Sequence, residues 1–402
     1  MASALESPIP QDVPPAQQRA LLLYGPGETY KIDEAYQVPQ KLHATEVLVK
    51  TATIGLNPID WKAPDFNFGI PSYPYISGRE LAGEVSLVSN ESRLLPGDRV
   101  LVISTDYRDI RKAAYQEYCI AAEYNVARLP KHLSFSSAST LGVGFVTAAL
   151  ALGVSMGVDF SGISGGPDLF HLVRKHEHQL PADQRKEALE LLRQQERAQP
   201  GDWVVIWGGS ATSANLTIQL ARLAGLRIAV VVDQAKHGEW LSSSCSIRPD
   251  FLVDSHDPAR AVGIIRSAIG KEARFGFDTC GKESVGYLLQ ALSKDDESAG
   301  LSPPSTPTDY VERQLRSHVI GLAGLPKASS DDIVLHTLPV KLFHEVEVVG
   351  RALTTWLERL LDEEKVVPAR IIGIENGLES VNGALDRMRQ GEISGGKLIV
   401  AV

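Results

Sequence analysis

The segment from Val204 to Asp233 constrains the fold of this 402-residue chain more than any other stretch. It begins with a short apolar run, turns at Gly208-Gly209-Ser210, and continues with apolar residues at helical spacing as far as Gly225. A second apolar run, Ile228–Val232, then leads directly to an acid. A strand, a glycine turn, a helix and a second strand form one parallel βαβ unit. The sequence therefore predicts an α/β fold organised around a parallel sheet.

The glycine turn in this segment is typical of a site for a nucleotide phosphate. Small residues let a phosphate approach the backbone, and the first amide groups of the following helix are free to bind an anion. Asp233 ends the second strand, where an acid often binds a ribose hydroxyl. However, Ser210 and Ser213 stand at the second and third glycine positions of the G-x-G-x-x-G pattern. An ordinary turn in an α/β core therefore remains the alternative.

Composition and charge exclude several classes of function. The formal net charge is −9, which argues against a nucleic-acid-binding surface or an anionic membrane partner. Three widely separated cysteines do not form a disulfide framework and favour a reducing compartment. The N-terminus lacks a basic region followed by an apolar one, and no later apolar run is long enough to cross a bilayer. We expect a cytoplasmic protein that binds neither nucleic acid nor membrane.

The rest of the chain changes character near residue 134. Up to about residue 124, short alternating strands and turns predict a mostly β domain. From Ser134, small apolar residues predict helices, with Ser136 or Ser137 as the cap. After Asp233, strands and helices alternate, which favours a doubly wound parallel sheet. We predict one domain over residues 1–145, completed by 345–402, and a second over 146–344.

Three further predictions concern the C-terminal part of the chain. Residues 294–309 are polar, contain three prolines and predict a loop. Val346–Gly350 is predicted as a strand, and Ala352–Glu364 and Leu378–Gln390 as helices. The last residues alternate like a strand that has no helix after it, and such a strand can return to the first domain.

A charged segment, residues 159–199, interrupts the predicted α/β domain. It starts rich in glycine and serine and then carries many charged residues and good helix formers. His171, His176 and His178 suggest a metal site, but His176 and His178 would diverge on a helix, and no cysteine or acid completes a known ligand spacing. We therefore predict a solvated surface insertion.

Six motifs, in the same order along almost the whole chain, resemble those of one family. They are Gly55–Lys62 (GLNPIDWK), Tyr75–Val85 (YISGRELAGEV), Pro96–Val100 (PGDRV), Tyr115–Ala121 (YQEYCIA), Gly208–Ala221 (GGSATSANLTIQLA) and Ile393–Val400 (ISGGKLIV). The chain resembles the medium-chain dehydrogenase/reductase superfamily, in its zinc-free quinone oxidoreductase and enoyl reductase branch. The glycine turn and the C-terminal motif resemble fungal trans-acting enoyl reductases of polyketide clusters in particular.

The resemblance implies a fold and a set of cofactor-binding positions. The fold is a GroES-like, mostly β domain plus a Rossmann domain with a doubly wound parallel sheet, with the cofactor in the cleft between them. The positions that the resemblance and the glycine turn together assign to the cofactor are Asn57, Ile59, Asp60, Trp61, Lys62, Thr147, Gly208, Gly209, Ser210, Ala211, Thr212, Ser213, Asp233, Lys236, Leu322, Ile393 and Ser394. Several have plain structural alternatives. Asn57-Pro58 also fits a turn, Asp60–Lys62 the start of a surface helix, and Thr147 a packing position in a helix.

The residues at the family's metal position argue against zinc. Zinc-dependent relatives place a cysteine in the first motif and a His-Glu pair in the second. This chain has Asn57 at the cysteine position and Arg79 at the histidine position, before Glu80. A guanidinium stays protonated and does not ligate a metal. The sequence therefore predicts no metal, and favours hydride transfer from a nicotinamide to a conjugated C=C bond over zinc-assisted alcohol oxidation.

The choice between NADPH and NADH rests on conflicting residues. Asp233 favours a free 2′-hydroxyl and repels a 2′-phosphate. Lys236 and His237 follow it and suit a phosphate. The hydroxyl-rich turn and the zinc-free branch also favour the phosphate. The prediction is NADPH.

Four functions remain open on the sequence alone. The leading hypothesis is an NADPH-dependent enoyl reductase of a fungal polyketide or secondary-metabolite pathway. The others are a quinone or enone reductase for small free substrates, a redox-neutral enzyme and a non-catalytic nucleotide-binding protein. The substrate is a small or carrier-bound enoyl compound, a polyketide synthase is a candidate partner, and both a monomer and a homodimer fit. No catalytic acid is assigned, because Tyr73, Tyr75, Tyr115 and Tyr118 fit packing roles equally well.

Overall fold

The computed structural model describes residues 13–293 and 315–402. The chain divides into two compact units. Unit 1 contains the described residues up to Ser139, together with Gly373–Gln390 and Leu398–Val402. Unit 2 contains the described residues of Thr140–Ile372 and the short segment Gly391–Lys397.

Unit 1 is mostly β structure, as the sequence predicts. The strands that form its sheets are β1 (Gln17–Leu22), β2 (Lys31–Gln37), β3 (Glu46–Gly55), β4 (Glu80–Val88), β5 (Arg99–Ile103), β6 (Tyr118–Ala122), β7 (Val126–Arg128), β14 (Ile371–Asn376) and β15 (Lys397–Ala401). Its helices are α1 (Pro58–Phe66), α2 (Phe135–Ala138) and α12 (Val381–Arg389). Ser134, rather than Ser136 or Ser137, caps α2, because its side chain accepts the Ser137 N–H.

The larger sheet of unit 1 has the order β14-β15-β3-β4-β5-β7, with β6 also pairing with β3. β3 runs antiparallel to β4, β6 and β15, so that this one long strand is shared by three neighbours. Many residues of β3 and β4 are fully buried, among them Val47, Val49, Ile54 and Leu81. β3 ends directly before α1, and this join carries the first of the sequence motifs.

Unit 2 alternates strands and helices along the chain. Its strands are β8 (Trp203–Trp207), β9 (Arg227–Val232), β10 (Phe251–Asp254), β11 (Ala273–Asp278), β12 (Ser317–Gly321) and β13 (Ile333–His336). Its helices are α3 (Gly142–Leu150), α4 (Leu169–Lys175), α5 (Arg185–Leu189), α6 (Thr212–Leu223), α7 (Gln234–Ser243), α8 (Pro258–Ala268), α9 (Lys282–Leu292), α10 (Lys341–Glu345) and α11 (Glu347–Asp362).

The six strands that the structure describes in unit 2 lie in the order β10-β9-β8-β11-β12-β13, and all neighbours are parallel. This is the doubly wound order 3-2-1-4-5-6 of the Rossmann fold. Val205 and Trp207 pack with α8 and α9 residues such as Ile265 and Leu288 on one face of the sheet. Strand order reverses between β8 and β11, and ligands of such sheets bind outside the carboxyl ends of the strands at this point.

The predicted strand at Val346–Gly350 is wrong, because these residues begin helix α11. Three valines within five residues favour a strand by propensity. The apolar side chains of Val349, Leu353, Trp356 and Leu360 nevertheless recur at helical spacing, and all four are buried. Burial of this helical face outweighs the weak local preference. Residues 345–372 accordingly lie in unit 2 and not with the first domain.

The prediction of a solvated insertion at residues 159–199 is also wrong for much of the segment. Leu169, Phe170 and Val173 on α4 are buried, and so are Leu180 and Leu192 further along. α4 has its own apolar stripe, which the many charged residues conceal in the sequence. The insertion therefore contributes to the core of unit 2.

One helical segment, Phe135–Ser155, is long and apolar enough to cross a membrane by composition, but 89% of its most apolar window is buried inside the protein. It runs from α2 through α3 to a π-helical turn at Ala151–Ser155. Such burial is typical of a core helix. The predicted loop at 294–309 lies outside the described residues.

Candidate cofactor and active site

The glycine turn after β8 has the shape of a phosphate cradle. Gly208 has φ +84°, and a Cβ there would lie 2.2 Å from the Thr279 Oγ1. A Cβ at Gly209 would lie 2.1 Å from a methyl carbon of Val230. The N-cap of α6, Ala211, has no side-chain acceptor, so the first amide groups of α6 are left for a ligand. Ser210, Ala211, Thr212 and Ser213 are all half-buried around these amides.

The loop after β11 closes the other side of this turn, and sequence reasoning missed it as part of the site. Asp278 is fully buried, and one of its carboxylate oxygens accepts the N–H groups of Cys280 and Gly281, each at 2.9 Å. Burial raises the pKa of Asp278 despite these bonds. The Thr279 hydroxyl donates to the Gly208 carbonyl at 2.9 Å. An acid followed by small residues at a strand end, as in Phe277–Gly281, is the signal that was available.

Asp233 and Lys236 meet at the end of β9. Asp233 caps α7, because its carboxylate accepts the Lys236 N–H at 3.1 Å. The same carboxylate lies 3.5 Å from the Lys236 Nζ and 3.7 Å from the His256 Nε2. Partial burial raises the pKa of Asp233, but the Lys236 amide and the charges of His256 and Lys236 outweigh it and lower the pKa. Asp233 is therefore an ionised carboxylate held between two basic groups.

The segment with Ile393 and Ser394 is fixed to the same helix. The Ser394 Oγ lies 2.9 Å from the His237 Nε2. Gly395 has φ +74°, and a Cβ there would lie 2.9 Å from the His237 ring. The Arg370 guanidinium lies over the Trp240 ring at 5.2 Å, close to Gly395. Ser394 and Lys236 therefore lie at the same end of unit 2, together with Arg370, which sequence reasoning missed.

Helix α3 brings Thr147 to the same region of unit 2. α3 packs on α6 so closely that a Cβ at Gly144 would lie 3.3 Å from the Thr212 side chain. Thr147 lies one turn after Gly144 on this helix and is buried. Leu322 lies at the end of β12, where its N–H donates to the Asp278 carbonyl at 2.9 Å. The predicted residues of unit 2 thus gather at the carboxyl ends of the strands and at the start of α6.

In unit 1, Asn57 and Asp60 form the start of α1. The Asp60 carboxylate accepts the Asn57 N–H at 2.8 Å, and the side-chain amide of Asn57 donates to the Glu80 carboxylate at 2.9 Å. Asp60 is fully buried, and the Tyr30 hydroxyl donates to its carbonyl at 2.9 Å. These contacts indicate that Asp60 positions Asn57 within the motif.

Ile59, Trp61 and Lys62 are half-buried on α1. The Lys62 Nζ lies 5.5 Å from the Trp61 ring, and the Arg389 guanidinium lies 5.6 Å from the same ring. Trp61 is therefore held between two cations on the surface of unit 1.

Arg79 is a buried cation with few partners. It is 8% exposed, and its guanidinium donates to the Tyr75 hydroxyl at 3.1 Å and lies 5.9 Å from the Tyr107 ring. Within residues 13–293 and 315–402, Arg79 has no salt bridge with a carboxylate. Burying a charge without an ion-pair partner is costly, so this position is more typical of a ligand site than of a stability element.

The nearby tyrosines are poor acids at neutral pH. Burial raises the pKa of Tyr75, although the Arg79 charge partly opposes this. Tyr115 is fully buried, and burial together with the Asp60 charge raises its pKa well above the ordinary value. Both phenols therefore hold their protons firmly. Tyr73 and Tyr118 are half-buried, and the Tyr73 hydroxyl donates to the Asn67 side chain at 3.0 Å.

These residues do not fit a zinc ion at the family's metal position. The Asn57 amide is engaged with Glu80, and Arg79 carries a fixed positive charge that repels a cation. The same fold does fit a nicotinamide dinucleotide, since the tight Gly208-Gly209 turn, where neighbouring side chains leave no room for a Cβ, leads into a helix whose first amide groups have no side-chain cap.

Comparisons with known proteins agree with this fold. The model of the alcohol dehydrogenase GroES-like domain matches residues 43–162. A trans-enoyl reductase of Aspergillus sclerotiorum, resD, is 25% identical over 372 residues, which cover 89% of this chain and 92% of that protein.

Solved structures share the fold. The CurK enoyl reductase superposes with a TM-score of 0.67 at 17% identity, over 96% of this chain and 99% of that one. A mycobacterial protein solved in complex with NADPH superposes with a TM-score of 0.65 at 17% identity, over 96% of this chain and 100% of that one. The chain therefore shares the fold of these enoyl reductases and is similar to them along most of its length, with a GroES-like domain, a Rossmann sheet and residues at the expected metal position that do not fit zinc.

Proposed function

We propose that this oxidoreductase uses NADPH to reduce a C=C bond conjugated to a carbonyl, as a trans-acting enoyl reductase of a fungal polyketide pathway. The observation that carries the proposal is the presence of Arg79 and Asn57 where zinc-dependent relatives bind the metal, in a chain whose glycine turn has the shape of a phosphate cradle. The similarity to a protein named trans-enoyl reductase over nine-tenths of the chain supports the same choice.

The residues that would hold most of the cofactor lie in unit 2. Gly208, Gly209 and the amides of Thr212 and Ser213 would bind the pyrophosphate. Thr147 and Leu322 would hold the nicotinamide end, and Ile393 and Ser394 would lie against the cofactor. The sequence resemblance also assigns the Asn57–Lys62 segment of unit 1 to the cofactor. When bound, the nicotinamide supplies a hydride, and the protein contributes orientation and charge.

Arg79 stabilises the charge that develops on the substrate. As the hydride pair forms a bond to the β-carbon, the π pair of the C=C bond moves to the α-carbon side and the carbonyl oxygen takes up negative charge as an enolate. A guanidinium N–H directed at this oxygen stabilises the enolate more than the neutral carbonyl. Tyr75 positions Arg79 through the 3.1 Å hydrogen bond. Water then protonates the α-carbon, because the buried tyrosines hold their protons.

NADPH is proposed over NADH because Lys236 and Arg370 bring fixed positive charges to the end of β9. Asp233 and Asp254 are the acids there, and His256 lies beside both of them. A 2′-phosphate at this position would gain charge-assisted hydrogen bonds from Lys236. We expect the Lys236→Ala variant to bind NADPH about tenfold more weakly than the wild type and NADH equally well.

The test combines cofactor binding with reduction. The purified, chelator-treated protein is titrated with NADPH and NADH by fluorescence, and then assayed with a crotonyl pantetheine thioester, with cyclohexenone and with a quinone. We expect selective binding of NADPH and formation of the saturated thioester. Reduction of the enone or quinone alone would favour the small-substrate alternative. Binding of NADPH without reduction of any of the three would contradict the proposal and favour a redox-neutral or non-catalytic role.

The polyketide synthase partner, the cytoplasmic location and the choice between monomer and homodimer stay predictions. Each follows from the sequence resemblance, and the activity test does not depend on them.

A further inference from the structure

A groove on unit 2 lies between the insertion and helix α11, and none of its lining residues belongs to the cofactor cradle. Its volume is about 590 Å³. Its floor is apolar and includes Leu172, Val348 and Ala352, and its rim carries Lys175, Arg351 and Arg359. We refer to these six residues as the basic groove.

The insertion is joined firmly to α11, so the basic groove is a fixed feature of unit 2. The Trp356 Nε1 donates to the Ile163 carbonyl at 2.9 Å, and the Phe160 ring lies 4.6 Å from the Trp356 ring. The Arg359 guanidinium donates to the Gly165 carbonyl at 2.6 Å. The charged insertion has no role in the proposed reaction.

The charge of the groove is opposite to the charge of the chain. Among the described residues that line it, Asp168 is the one acid, and it is already bound by Arg197 and His171, each at 2.8 Å. Glu347 lies outside the lining and pairs with Arg351 at 2.8 Å, so Lys175 and Arg359 contribute most of the positive charge of the groove. Lys175 is exposed and projects its charge into solvent. A basic rim on a chain of net charge −9 gives an acidic partner one attractive surface while the rest of the chain repels it.

The groove also lies close to helix α3, which carries Thr147. Trp356 on the opposite face of α11 packs against Phe145 of α3, with ring centroids 5.5 Å apart. Phe145 lies two residues before Thr147 on α3. One helix therefore separates the basic groove from the helix that carries a proposed nicotinamide contact.

We propose that the basic groove binds an acidic amphipathic helix of the acyl carrier domain that delivers the enoyl thioester. An apolar floor between cationic rims suits a helix that presents apolar residues flanked by carboxylates. The inference rests on the proposed function, because a thioester held on a protein has to be presented by that protein. Attraction between the two charged surfaces would raise the association rate and fix the orientation of the carrier.

The test compares one acyl group on two supports. A crotonyl group is offered on an acyl carrier domain of a fungal polyketide synthase and on free pantetheine. The variant Lys175→Glu/Arg351→Glu reverses two rim charges. Lys186→Glu/Lys271→Glu makes the same total change of charge at two exposed positions of unit 2 outside the groove. Thermal unfolding checks that all proteins are folded.

We expect the groove variant to lower kcat/KM about tenfold for the carrier-bound substrate, through KM, and to leave reduction of the free thioester unchanged. The control variant should match the wild type on both substrates. Equal loss for both groove and control variants, or no loss in the groove variant, would overturn the proposal.

Binding of the carrier domain is measured separately by fluorescence anisotropy, without any reduction. We expect the wild type to bind the crotonyl-loaded domain with an affinity that falls as salt is added, and the groove variant to bind it about tenfold more weakly. Absence of wild-type binding would overturn the docking proposal even if the free thioester is reduced. Binding at the groove without reduction of either substrate would contradict the proposed function and leave the docking site supported.

Discussion

Arg79 is a buried cation whose guanidinium is hydrogen-bonded to the Tyr75 hydroxyl and to no carboxylate within the described parts of the chain. If it stabilises the enolate oxygen, Arg79→Met should lower kcat about 100-fold, the usual effect of removing one oxyanion donor, and change NADPH affinity little. Arg79→Lys should recover part of the loss, because it keeps the charge and loses the planar fork. The measurement is kcat and KM for crotonyl pantetheine thioester, with the exposed Arg108→Met as the control.

A role for Arg79 in folding alone would give a different pattern. The variants would then differ in thermal stability, while kcat of the folded fraction would stay at the wild-type value.

Gly208 provides a second prediction about a single residue. Its φ of +84° and the 2.2 Å approach of Thr279 leave no room for a Cβ. Gly208→Ala should destabilise the protein by about 1–3 kcal/mol and abolish detectable NADPH binding. Gly263→Ala on α8, where nothing lies within 4 Å of the added Cβ, should be neutral or slightly stabilising. The measurements are urea denaturation and fluorescence titration, and NADPH affinity unchanged in Gly208→Ala would contradict the phosphate cradle.

At this scale the sequence predicted residues that are contiguous in a motif and missed those that only the fold brings together. The strand–turn–helix pattern was enough to find Gly208 and Asp233. Arg370 and His256 approach the end of β9 from separate segments, and nothing in the local sequence marks them. The sequence also identified Arg79 as a lost metal ligand, but only the structure shows that it is buried beside Tyr75.

Among the larger elements, the insertion offers a direct test of its role in the core. Phe170 on α4 is 3% exposed and lies between the guanidinium groups of Arg174, at 3.4 Å, and Arg197, at 4.7 Å. Phe170→Ala should lower the free energy of unfolding by about 3–4 kcal/mol. A change below about 0.5 kcal/mol would be typical of a solvated surface segment and would contradict the structure.

The insertion also completes a buried network of hydrogen-bonded polar side chains on the sheet. Glu187 of α5 lies 2.6 Å from the His336 Nδ1, and the His336 Nε2 lies 2.9 Å from the His318 Nδ1. The Glu196 carboxylate forms two hydrogen bonds with the Arg316 guanidinium, each at 2.8 Å, and lies 3.7 Å from the His318 Nε2. Burial raises the pKa of Glu196, but Arg316 and the Arg193 amide outweigh it and lower the pKa to about 2.

This network of polar side chains predicts that the folded protein loses stability at acid pH. Burial, reinforced by the charge of His336, lowers the pKa of His318 to about 3. The unfolded state takes up this proton at about pH 6.5. The contribution of a neutral His318 is therefore complete above pH 6.5, and it is lost as the pH falls from 6.5 towards 3. Denaturation curves at pH 7, 6, 5 and 4.5 should show stability falling with pH, and more shallowly in His318→Gln.

The exposed His256→Asn variant is the control for this pH series. Hydrogen bonding to Asp254 raises the pKa of His256, so its contribution is present below pH 6.5 and is lost as the pH rises. Below pH 6.5, the stability of His256→Asn should therefore fall with pH as steeply as that of the wild type. If stability falls equally steeply with pH in the wild type and in His318→Gln, His318 is not the source of the acid sensitivity.

Elements were predictable from the sequence where local preference and tertiary packing agree. β8, α6 and β9 match the prediction, and Gly225, with φ +76°, follows the end of α6 as expected. The predictions failed where the two disagree. The valines before Leu353 favour a strand, but Val349 lies on the buried face of α11 with Leu353, and packing of this face makes the segment helical. The charges of the insertion hid the apolar stripe of α4.

For the whole molecule, the order of motifs along the chain was enough to predict a GroES-like unit and a Rossmann unit. The net charge argues against a nucleic-acid surface, and this stays a prediction. Domain boundaries were less accessible, because the C-terminal segment alternates between units. Residues Gly373–Gln390 and Leu398–Val402 lie in unit 1, and the seven residues between them lie in unit 2. No local signal marks such a crossing, since it depends on which strand each segment pairs with.

Binding of NADPH should stabilise the whole protein. A ligand that binds only the folded state at 100 times its Kd adds about 2.7 kcal/mol. We expect NADPH to raise the midpoint of thermal unfolding more than an equal concentration of NADH, and the difference to shrink in Lys236→Ala. A larger shift with NADH would show that Asp233 determines the cofactor.

The most direct test of the central claim follows the hydride itself. The metal-depleted protein is incubated with crotonyl pantetheine thioester and NADPH that carries deuterium at the transferable position, and the product is analysed by mass spectrometry and NMR. We expect a saturated thioester with one deuterium at the β-carbon, formed at the same rate with and without added zinc. A saturated product without deuterium, or a reaction that requires zinc, would contradict it.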